Sequence, residues 1–334
     1  MAKLKVAFAG FRHGHIIGLY EKVKNHPDLE LVAAAEEDAA ARAALGTSNP
    51  GVVITHDNIE KMLDEVPCDI VAIGDYYTIR GARAVAALKR GKHIIADKPL
   101  CTSLDELAEI EKLASEKKLS VGCMFDLRVA PSVNNAVQIV KSGKLGKITQ
   151  IQFTAQHPLL RGTRPAWYFE NNQHGGTIND IGSHAADLLP YMLDTKIKSI
   201  VGARSWKALA RPEESIDDAG QFILEMADGC GVTADVSYVA TDSLGYSLPT
   251  YWRFNIWGSC GMIEFSYTST AVKAYINGES GAVEISNPPV KTADYLEEFL
   301  NEISGRPGKL TTESIIEAAR WILKIQKCAD NYGK

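Results

Sequence analysis

The stretch Leu4-Lys5-Val6-Ala7-Phe8-Ala9-Gly10 decides the fold class, because a short apolar run ends there at a glycine. Apolar side chains then recur at helical spacing, which predicts a helix over 14–25. A second apolar run, Leu29–Ala35, follows that helix. Strands that are apolar along their whole length and alternate with helices are typical of a parallel sheet covered on both faces.

The same alternation continues to about residue 125. Further strands are predicted over 69–73, 93–96 and 119–123, and further helices over 38–45, 81–89 and 104–116. Because crossovers between parallel strands are right-handed, this order favours a doubly wound α/β Rossmann domain. We assign residues 1–125 to it.

The periodicity changes to two after about residue 147. Strands are predicted over 148–156, 197–206, 221–227, 231–239, 252–257 and 262–267, and amphipathic helices over 292–304 and 312–330. Alternation of this kind predicts an antiparallel sheet with one face solvated or covered by a partner. We therefore expect a second, α+β domain over 126–334, whose terminal helices are candidates to pack back on the first domain.

Composition narrows the function classes. With 334 residues, the length favours two domains, and 46% hydrophobic residues supply both cores. A net charge of −5 argues against a partner such as nucleic acid or a membrane surface. The six cysteines contain no C-x-x-C pair, which indicates reduced thiols rather than disulfides or a zinc site. A strand directly after the N-terminus and the lack of a long apolar run predict a cytoplasmic protein.

The turn Gly10-Phe11-Arg12-His13-Gly14-His15 stands where a dinucleotide-binding G-x-G-x-x-G turn belongs. Its first glycine is in place, but Arg12 and His15 occupy the other two glycine positions. Arg12 could supply charge to a phosphate; a strand–helix turn without a ligand is the alternative.

Glu36 follows the second strand, where an acidic group accepts hydrogen bonds from the adenosine ribose. A carboxylate there would repel a 2′-phosphate, so it favours NAD over NADP. Glu37 and Asp38 are neighbouring candidates for the same role, and a solvated charge is the alternative.

Asp97-Lys98-Pro99 follows another predicted strand. A lysine at the carboxyl end of a parallel strand lies at the edge where such sheets bind ligands. The proline restricts the backbone of Lys98 and permits a cis peptide bond. An ordinary surface turn is the alternative.

The run 175–187 contains Asp180 and His184, which share one face if the segment is helical. Histidine suits proton transfer at neutral pH, and a neighbouring carboxylate can orient it. A buried, hydrogen-bonded histidine is the alternative. His157 and His174 add a metal-binding reading, but no spacing among these residues is typical of zinc, so we predict no metal.

Together these segments resemble the family of glucose–fructose oxidoreductase, inositol dehydrogenase and MocA. The resemblance rests on Gly91-Lys92-His93…Asp97-Lys98-Pro99 and on Gly175-Gly176…Asp180-Ile181-Gly182-Ser183-His184…Asp187, in that order, and covers nearly the whole chain. It implies a Rossmann domain followed by an open-faced sheet, with homodimers or homotetramers forming through that sheet.

The resemblance also implies residue roles. Lys98, Asp180 and His184 fall on the catalytic residues of inositol-dehydrogenase-like members. The implied cofactor contacts are Gly10, Phe11, Arg12, His13, Glu36, Asp75, Tyr76, Asp97, Lys98 and Pro99. The implied substrate contacts are Arg128, His157 and Trp167.

Two departures from the family pattern fall on cofactor contacts. The glycine-rich turn has lost two glycines, and the family's threonine-proline-asparagine-x-x-histidine reads Asp75-Tyr76-Tyr77-Thr78-Ile79-Arg80. In addition, Asp97 replaces the usual glutamate before the lysine.

The leading hypothesis is NAD-dependent oxidation of a secondary alcohol in a polyol, sugar or sugar derivative. His184 would accept the hydroxyl proton, Asp180 would orient His184, and Lys98 would stabilise charge on the reacting oxygen. This requires the three side chains to converge beside a nicotinamide ring. Redox-assisted glycoside cleavage and a non-catalytic ligand-binding protein remain alternatives. Arg161 and Arg164 are candidates to recognise a carboxylate or phosphate, and Tyr246 is a weaker candidate for the substrate wall.

Overall fold

The computed structural model describes residues 2–333, and the chain divides into two compact units. The first runs to Met124 and also includes Tyr295–Ala319; the second comprises Phe125–Asp294 and the chain from Arg320 onward. The first unit is therefore built from two separate stretches of sequence.

The first unit is a parallel five-stranded sheet with helices. Its strands are β1 (Leu4–Ala9), β2 (Leu29–Ala35), β3 (Ile70–Ile73), β4 (His93–Ala96) and β5 (Val121–Cys123), in the order β2-β1-β3-β4-β5. Its helices are α1 (His15–Asn25), α2 (Ala39–Ser48), α3 (Ile59–Glu65), α4 (Arg80–Lys89), α5 (Leu104–Lys117) and, from the later stretch, α8 (Tyr295–Ile303). Because β1 pairs with β2 on one side and β3 on the other, the strand order reverses at β1.

Polar side chains fix where several of these helices begin. Asp38 accepts a hydrogen bond from the amide of Ala41 at the start of α2, and Asn58 accepts one from Lys61 at the start of α3. Ser103 accepts hydrogen bonds from two amides of the first turn of α5. Such caps satisfy amides that have no partner within the helix.

The later stretch completes the edge of this sheet. The hydroxyl of Thr312 accepts a hydrogen bond of 2.8 Å from the amide of Val121 in β5. A Cβ added at Gly122 would lie 2.9 Å from Cδ2 of Phe299 in α8, so the glycine permits close packing. The outer strand of the sheet is therefore supported by residues nearly 200 positions further along the chain.

The second unit holds a mixed, mainly antiparallel sheet of eight strands. They are β6 (Ile148–Pro158), β7 (Ile197–Trp206), β8 (Ala219–Met226), β9 (Gly231–Ala240), β10 (Arg253–Gly258), β11 (Gly261–Ser266), β12 (Ala271–Ile276) and β13 (Val283–Ser286). Their order is β13-β12-β11-β10-β6-β9-β8-β7, and β6 and β9 run parallel. Its helices are α6 (Pro131–Lys141) and α7 (Thr177–Leu193); α9 (Thr312–Asp330) begins in the first unit and ends in this one.

The two faces of this sheet differ in burial. In β6, Ile151 and Phe153 are buried, whereas Gln150 and Gln152 are exposed. The ring of Phe153 stacks on Trp252 and Phe254 from the neighbouring strand region, which forms the aromatic core of the unit. The predicted Rossmann and open-faced α+β classes are thus confirmed. Within residues 2–333, no helix is both long and apolar enough to span a membrane.

The close packing of Gly258 against the segment before β6 can be tested by substitution. A Cβ added at Gly258 would lie 2.1 Å from the carbonyl oxygen of Leu145, and a backbone atom cannot rotate away. We expect Gly258→Ala to lower the free energy of unfolding of this unit by about 2 kcal/mol or more, which urea unfolding would measure. Gly202→Ala is the matched control, because nothing lies within 4 Å of its added Cβ. Equal urea midpoints for the two variants would contradict the assigned contact.

Candidate active site

The edge of the parallel sheet at the strand reversal is built around Gly10. This residue follows β1 with φ of +83°, and an added Cβ would lie 2.7 Å from Cβ of Asp75, which follows β3. The Gly10 amide donates to the carbonyl of Ala35, and the His13 amide donates to the carbonyl of Gly74. The turn is thereby fixed to both strands that flank β1.

Glu36 holds this turn from the end of β2. Its carboxylate accepts hydrogen bonds from the amides of Phe11 at 2.6 Å and of Asp38 at 2.9 Å. Burial raises the pKa of Glu36. The carboxylate of Asp38 lies 3.4 Å from Nη1 of Arg12, so the positive charge of Arg12 has a negative charge beside it.

Asp75 and Tyr76 lie at the end of β3, as the sequence placed them. Asp75 is buried, which raises the pKa of its carboxyl group, and it accepts a hydrogen bond from the Tyr76 amide. Nε of Arg83 lies 3.6 Å from the same carboxylate. The guanidinium of Arg12 stands 5.8 Å from the centre of the Tyr76 ring.

Asp97 links the turn after β1 to the end of β4. Its carboxylate is fully buried, accepts a hydrogen bond from Nδ1 of His13, and lies 3.2 Å from Nη2 of Arg80. Burial alone would raise the pKa of Asp97, but the charge of Arg80 and the hydrogen bond from His13 hold it well below its usual value. Burial also lowers the pKa of His13 to about 4. At neutral pH the pair is therefore a neutral imidazole that donates to a carboxylate.

Lys98 and Pro99 come directly after this carboxylate. Lys98 is buried, with 4% of its surface exposed, and its bond to Pro99 is cis. His15 is a third side chain that could bind a metal ion together with His13 and Asp97. The nitrogen and oxygen atoms that could bind the ion lie within 4.8 Å of one another. Because Arg80 already balances the charge of Asp97, we assign no metal ion to this group.

In the second unit, the glycine pair before α7 lets that helix begin against Gln326. Gly175 and Gly176 have φ of +78° and +100°, and an added Cβ at Gly176 would lie 2.2 Å from Oε1 of Gln326. The same Oε1 accepts a hydrogen bond from the amide of Asn179. Since α7 is helical through both residues, Asp180 and His184 share a face of it.

The Asp180 carboxylate makes a hydrogen bond that the sequence did not predict. Asp180 accepts from the hydroxyl of Tyr238 in β9, and Nε2 of His174 lies 3.7 Å from the carboxylate and 3.3 Å from the same hydroxyl. Nε2 of His184 lies 3.9 Å from the carboxylate of Asp126. Asp126 is thus a second carboxylate near His184, and Asp180 also binds the Tyr238 hydroxyl. The role of Asp180 in orienting His184 stays a prediction.

Neither Tyr238 nor Asp126 was expected at the site, and His174 only as a metal ligand. Tyr238 lies on a period-two strand, where its type suggests packing, and Asp126 follows β5 in a short 3₁₀ segment. In the sequence, the one feature that places any of these three residues near the site is the position of His174 directly before the glycine pair.

His157 and Trp167 lie in an aromatic cluster of the same unit. His157 makes edge contacts with Tyr251 and Trp252, and the Trp252 ring also meets His184 at 5.7 Å. Trp167 is buried against Tyr168, with ring centres 4.2 Å apart. The structure therefore brings His157 and His184 to one tryptophan.

The arginines expected near substrate are bound within the protein. Arg128 donates from Nε and Nη2 to the buried carboxylate of Asp187, at 2.7 and 2.5 Å, so its ion pair fastens residues 126–129 to α7. Arg161 forms a two-point ion pair with Glu214, and Arg164 donates to two backbone carbonyls. A contact of Arg128 with substrate stays a prediction, as does recognition of an anion by Arg161 or Arg164.

Family models match most of the chain. The model described as oxidoreductase family, NAD-binding Rossmann fold, matches residues 4–125, and the GFO/IDH/MocA C-terminal domain matches residues 133–264. Among relatives, scyllo-inositol 2-dehydrogenase (NAD(+)) of Bacillus subtilis is 28% identical over 68% of this chain and 64% of its own. An uncharacterized oxidoreductase of Synechocystis is 22% identical over 74% and 69%. The chain spans about half to two thirds of the length of the curated relatives it matches.

Solved structures share the fold over nearly the full length. A putative oxidoreductase from Thermotoga maritima has a TM-score of 0.84, with 23% identity and 98% of both chains covered. An inositol dehydrogenase homolog complexed with NAD+ from Azotobacter vinelandii has a TM-score of 0.80, with 17% identity and coverage of 100% and 97%.

The low pKa of His13 predicts a pH dependence of stability. Between pH 4 and 6.5 an unfolded chain binds a proton at this histidine and the folded chain does not, so unfolding becomes easier as pH falls. We expect a loss of up to about 1.4 kcal/mol per pH unit in that window from this one group. Urea unfolding followed by circular dichroism at several pH values would measure it. His13→Gln should flatten the slope and His56→Gln should not; an unchanged slope in His13→Gln would refute the assignment.

Proposed function

We propose that this chain, which belongs to the GFO/IDH/MocA oxidoreductase family, is an NAD-dependent dehydrogenase acting on a secondary alcohol of a polyol, sugar or sugar derivative. The observation that carries the proposal is that side chains suited to alcohol oxidation lie where a Rossmann-type dehydrogenase needs them. A buried lysine ends β4 beside the strand reversal of an NAD-binding Rossmann domain, and one face of α7 carries an aspartate and a histidine.

The edge around Gly10 fits a dinucleotide. Gly10 lets the turn pass close to Asp75, where a Cβ would collide, and no side chain caps the first amides of α1, which suits an anionic pyrophosphate. When bound, NAD supplies the hydride acceptor. The carboxylates of Glu36 and Asp38 would repel a 2′-phosphate, and this supports NAD over NADP.

Lys98 is proposed to donate a hydrogen bond to the reacting oxygen. A buried ammonium group stabilises negative charge that develops on an alcohol oxygen as its proton leaves, and burial strengthens that interaction because water is excluded. The position of Lys98 at the end of a strand keeps this group on a rigid element.

His184 is proposed to take the hydroxyl proton at Nε2. The carboxylate of Asp126, 3.9 Å from that atom, stabilises the imidazolium once it forms. Asp180, on the same face of α7 as His184, is buried in a hydrogen-bonded group with Tyr238 and His174. This group keeps a second carboxylate near the histidine without exposing it to water.

The side chains of the second unit favour an uncharged, hydroxylated substrate. Aromatic and imidazole rings dominate the cluster around His157, while Arg161 pairs with Glu214 and Arg164 donates to a backbone carbonyl. Aromatic faces pack on the C–H groups of polyols, and imidazoles exchange hydrogen bonds with hydroxyls. We also propose that copies of the chain associate through the exposed sheet face, where Val201 and Ile223 are exposed.

Catalysis is tested by removing the two proposed reacting groups. We expect Lys98→Met and His184→Gln each to lower kcat at least about 100-fold, because each removes charge stabilisation or proton transfer. The dissociation constant for NADH should change less than threefold. The measurement is NADH absorbance with a panel of polyols and sugars, and exposed Lys89→Met is the control. Turnover equal to that of the control would sink the assignment.

Cofactor choice is tested by fluorescence titration. We expect NADH to bind at least about tenfold more tightly than NADPH, since one misplaced charge costs of the order of 1.4 kcal/mol or more. Asp38→Asn keeps a helix-capping side chain but removes the carboxylate beside Arg12, and should narrow the preference several-fold. Asp64→Asn, at an exposed ion pair with Arg90, is the control. Binding of neither nucleotide would favour a non-catalytic ligand-binding protein, and glycoside cleavage without net NADH would favour the redox-assisted reaction.

A further inference from the structure

Arg80 is a fully buried arginine at the first position of α4. Its Nε donates to the carbonyl of Asp75 at 2.7 Å, after β3. Its Nη1 lies 3.0 Å from the carbonyl oxygen of Asp97, 2.6 Å from that of Lys98 and 3.2 Å from that of Pro99, after β4. Each nitrogen of one guanidinium is thus bonded to the backbone or carboxylate at the ends of two adjacent strands.

This bonding pattern needs a planar fork. The carbonyl groups after β4 have left the sheet and require donors if they are buried, and three in succession point at one side chain. A guanidinium presents donors in several fixed directions, whereas an ammonium presents them from one point. The buried charge of Arg80 is balanced by Asp97, with 3.2 Å between Nη2 and Oδ2.

The same carboxylate receives a hydrogen bond from His13, in the turn after β1. The backbone of that turn is held in place by the bond from the His13 amide to Gly74. Arg80, Asp97 and His13, which we call the buried brace, therefore connect the carboxyl ends of β1, β3 and β4. Arg80 and Asp97 occupy the positions where the family pattern has histidine and glutamate, so two departures in sequence meet at one contact.

We infer that Arg80 is a positioning residue: by fixing the backbone of Asp97, Lys98 and Pro99, it sets the direction in which the Lys98 side chain leaves β4. The inference rests on the proposed function for its consequence in catalysis. It has a second consequence, the burial of the Lys98 ammonium, that is independent of any reaction. The two can be measured separately.

The test is Arg80→Lys, which keeps the charge and loses the fork. We expect kcat per bound NADH to fall at least tenfold, with the NADH dissociation constant changed less than threefold. Normalising to NADH stoichiometry removes any loss of folded protein from the comparison. Arg90→Lys is the matched control, because Arg90 ends the same helix and pairs with exposed Asp64 and Glu60.

A readout independent of activity is the rate at which acetic anhydride modifies Lys98, followed by mass spectrometry with Lys89 as the internal reference. We expect the Lys98 rate to rise at least threefold in Arg80→Lys and to stay constant in Arg90→Lys. An unchanged Lys98 rate in Arg80→Lys, or a raised rate with kcat within twofold of the wild type, would overturn the inference.

A second variant covers the case in which Arg80→Lys does not fold. Asp97→Asn removes the charge that balances Arg80 and should also raise the rate at which acetic anhydride modifies Lys98. An unchanged modification rate would overturn the inference in that case. If the wild type neither binds NADH nor turns over any polyol, the proposed function fails, and the modification rates still decide whether Arg80 positions Lys98.

Discussion

One buried carboxylate organises the candidate cofactor edge. Asp97 is accessible to no solvent, so its charge is stable only because Arg80 lies beside it and His13 donates to it. The three residues come from the turn after β1, the start of α4 and the end of β4. Removing Arg80 leaves an unmatched charge in the interior, and removing His13 takes a hydrogen bond from the same carboxylate. The carboxylate therefore couples the shape of the turn to the backbone that carries Lys98.

In the second unit, buried hydrogen bonds to distant residues fix the start of α7. The glycine pair before α7 admits the side chain of Gln326, which accepts a hydrogen bond from the first turn of that helix. A few residues along, Asp180 is fixed by the hydroxyl of Tyr238. The start of the helix and its acidic side chain are therefore determined by residues from β9 and α9, which are distant in sequence.

Much of the architecture could be predicted from local patterns. The predicted strands over 29–35, 93–96 and 197–206 have the bounds that the structure shows, because apolar runs between turn residues mark buried strands directly. Helix α6 was not predicted because its buried face carries two polar residues, Asn134 and Asn135. Both donate hydrogen bonds to the segment around 285–292, so the apolar helical spacing is interrupted. Strand β13 lies at the sheet edge, where burial imposes a weaker pattern.

The site could be predicted only in part. Lys98, Asp180 and His184 stand beside turn and helix signals, which made them candidates. The contacts that hold the candidate residues could not be predicted, since Tyr238 is 58 positions from Asp180 and Asp187 is 59 from Arg128. Partners at such separations are set by the packing of strands, and a single sequence carries no record of that pairing.

The discontinuous first unit has a consequence for synthesis on the ribosome. Strand β5 is complete by Cys123, but Phe299 and Thr312, which support it, emerge only after the 170 residues of Phe125–Asp294. At about 5–20 residues per second, the nascent sheet would wait roughly 10–40 s with its outer strand uncovered. During that interval most of the second unit has been synthesised, and the nascent chain offers an apolar strand edge that chaperones can bind.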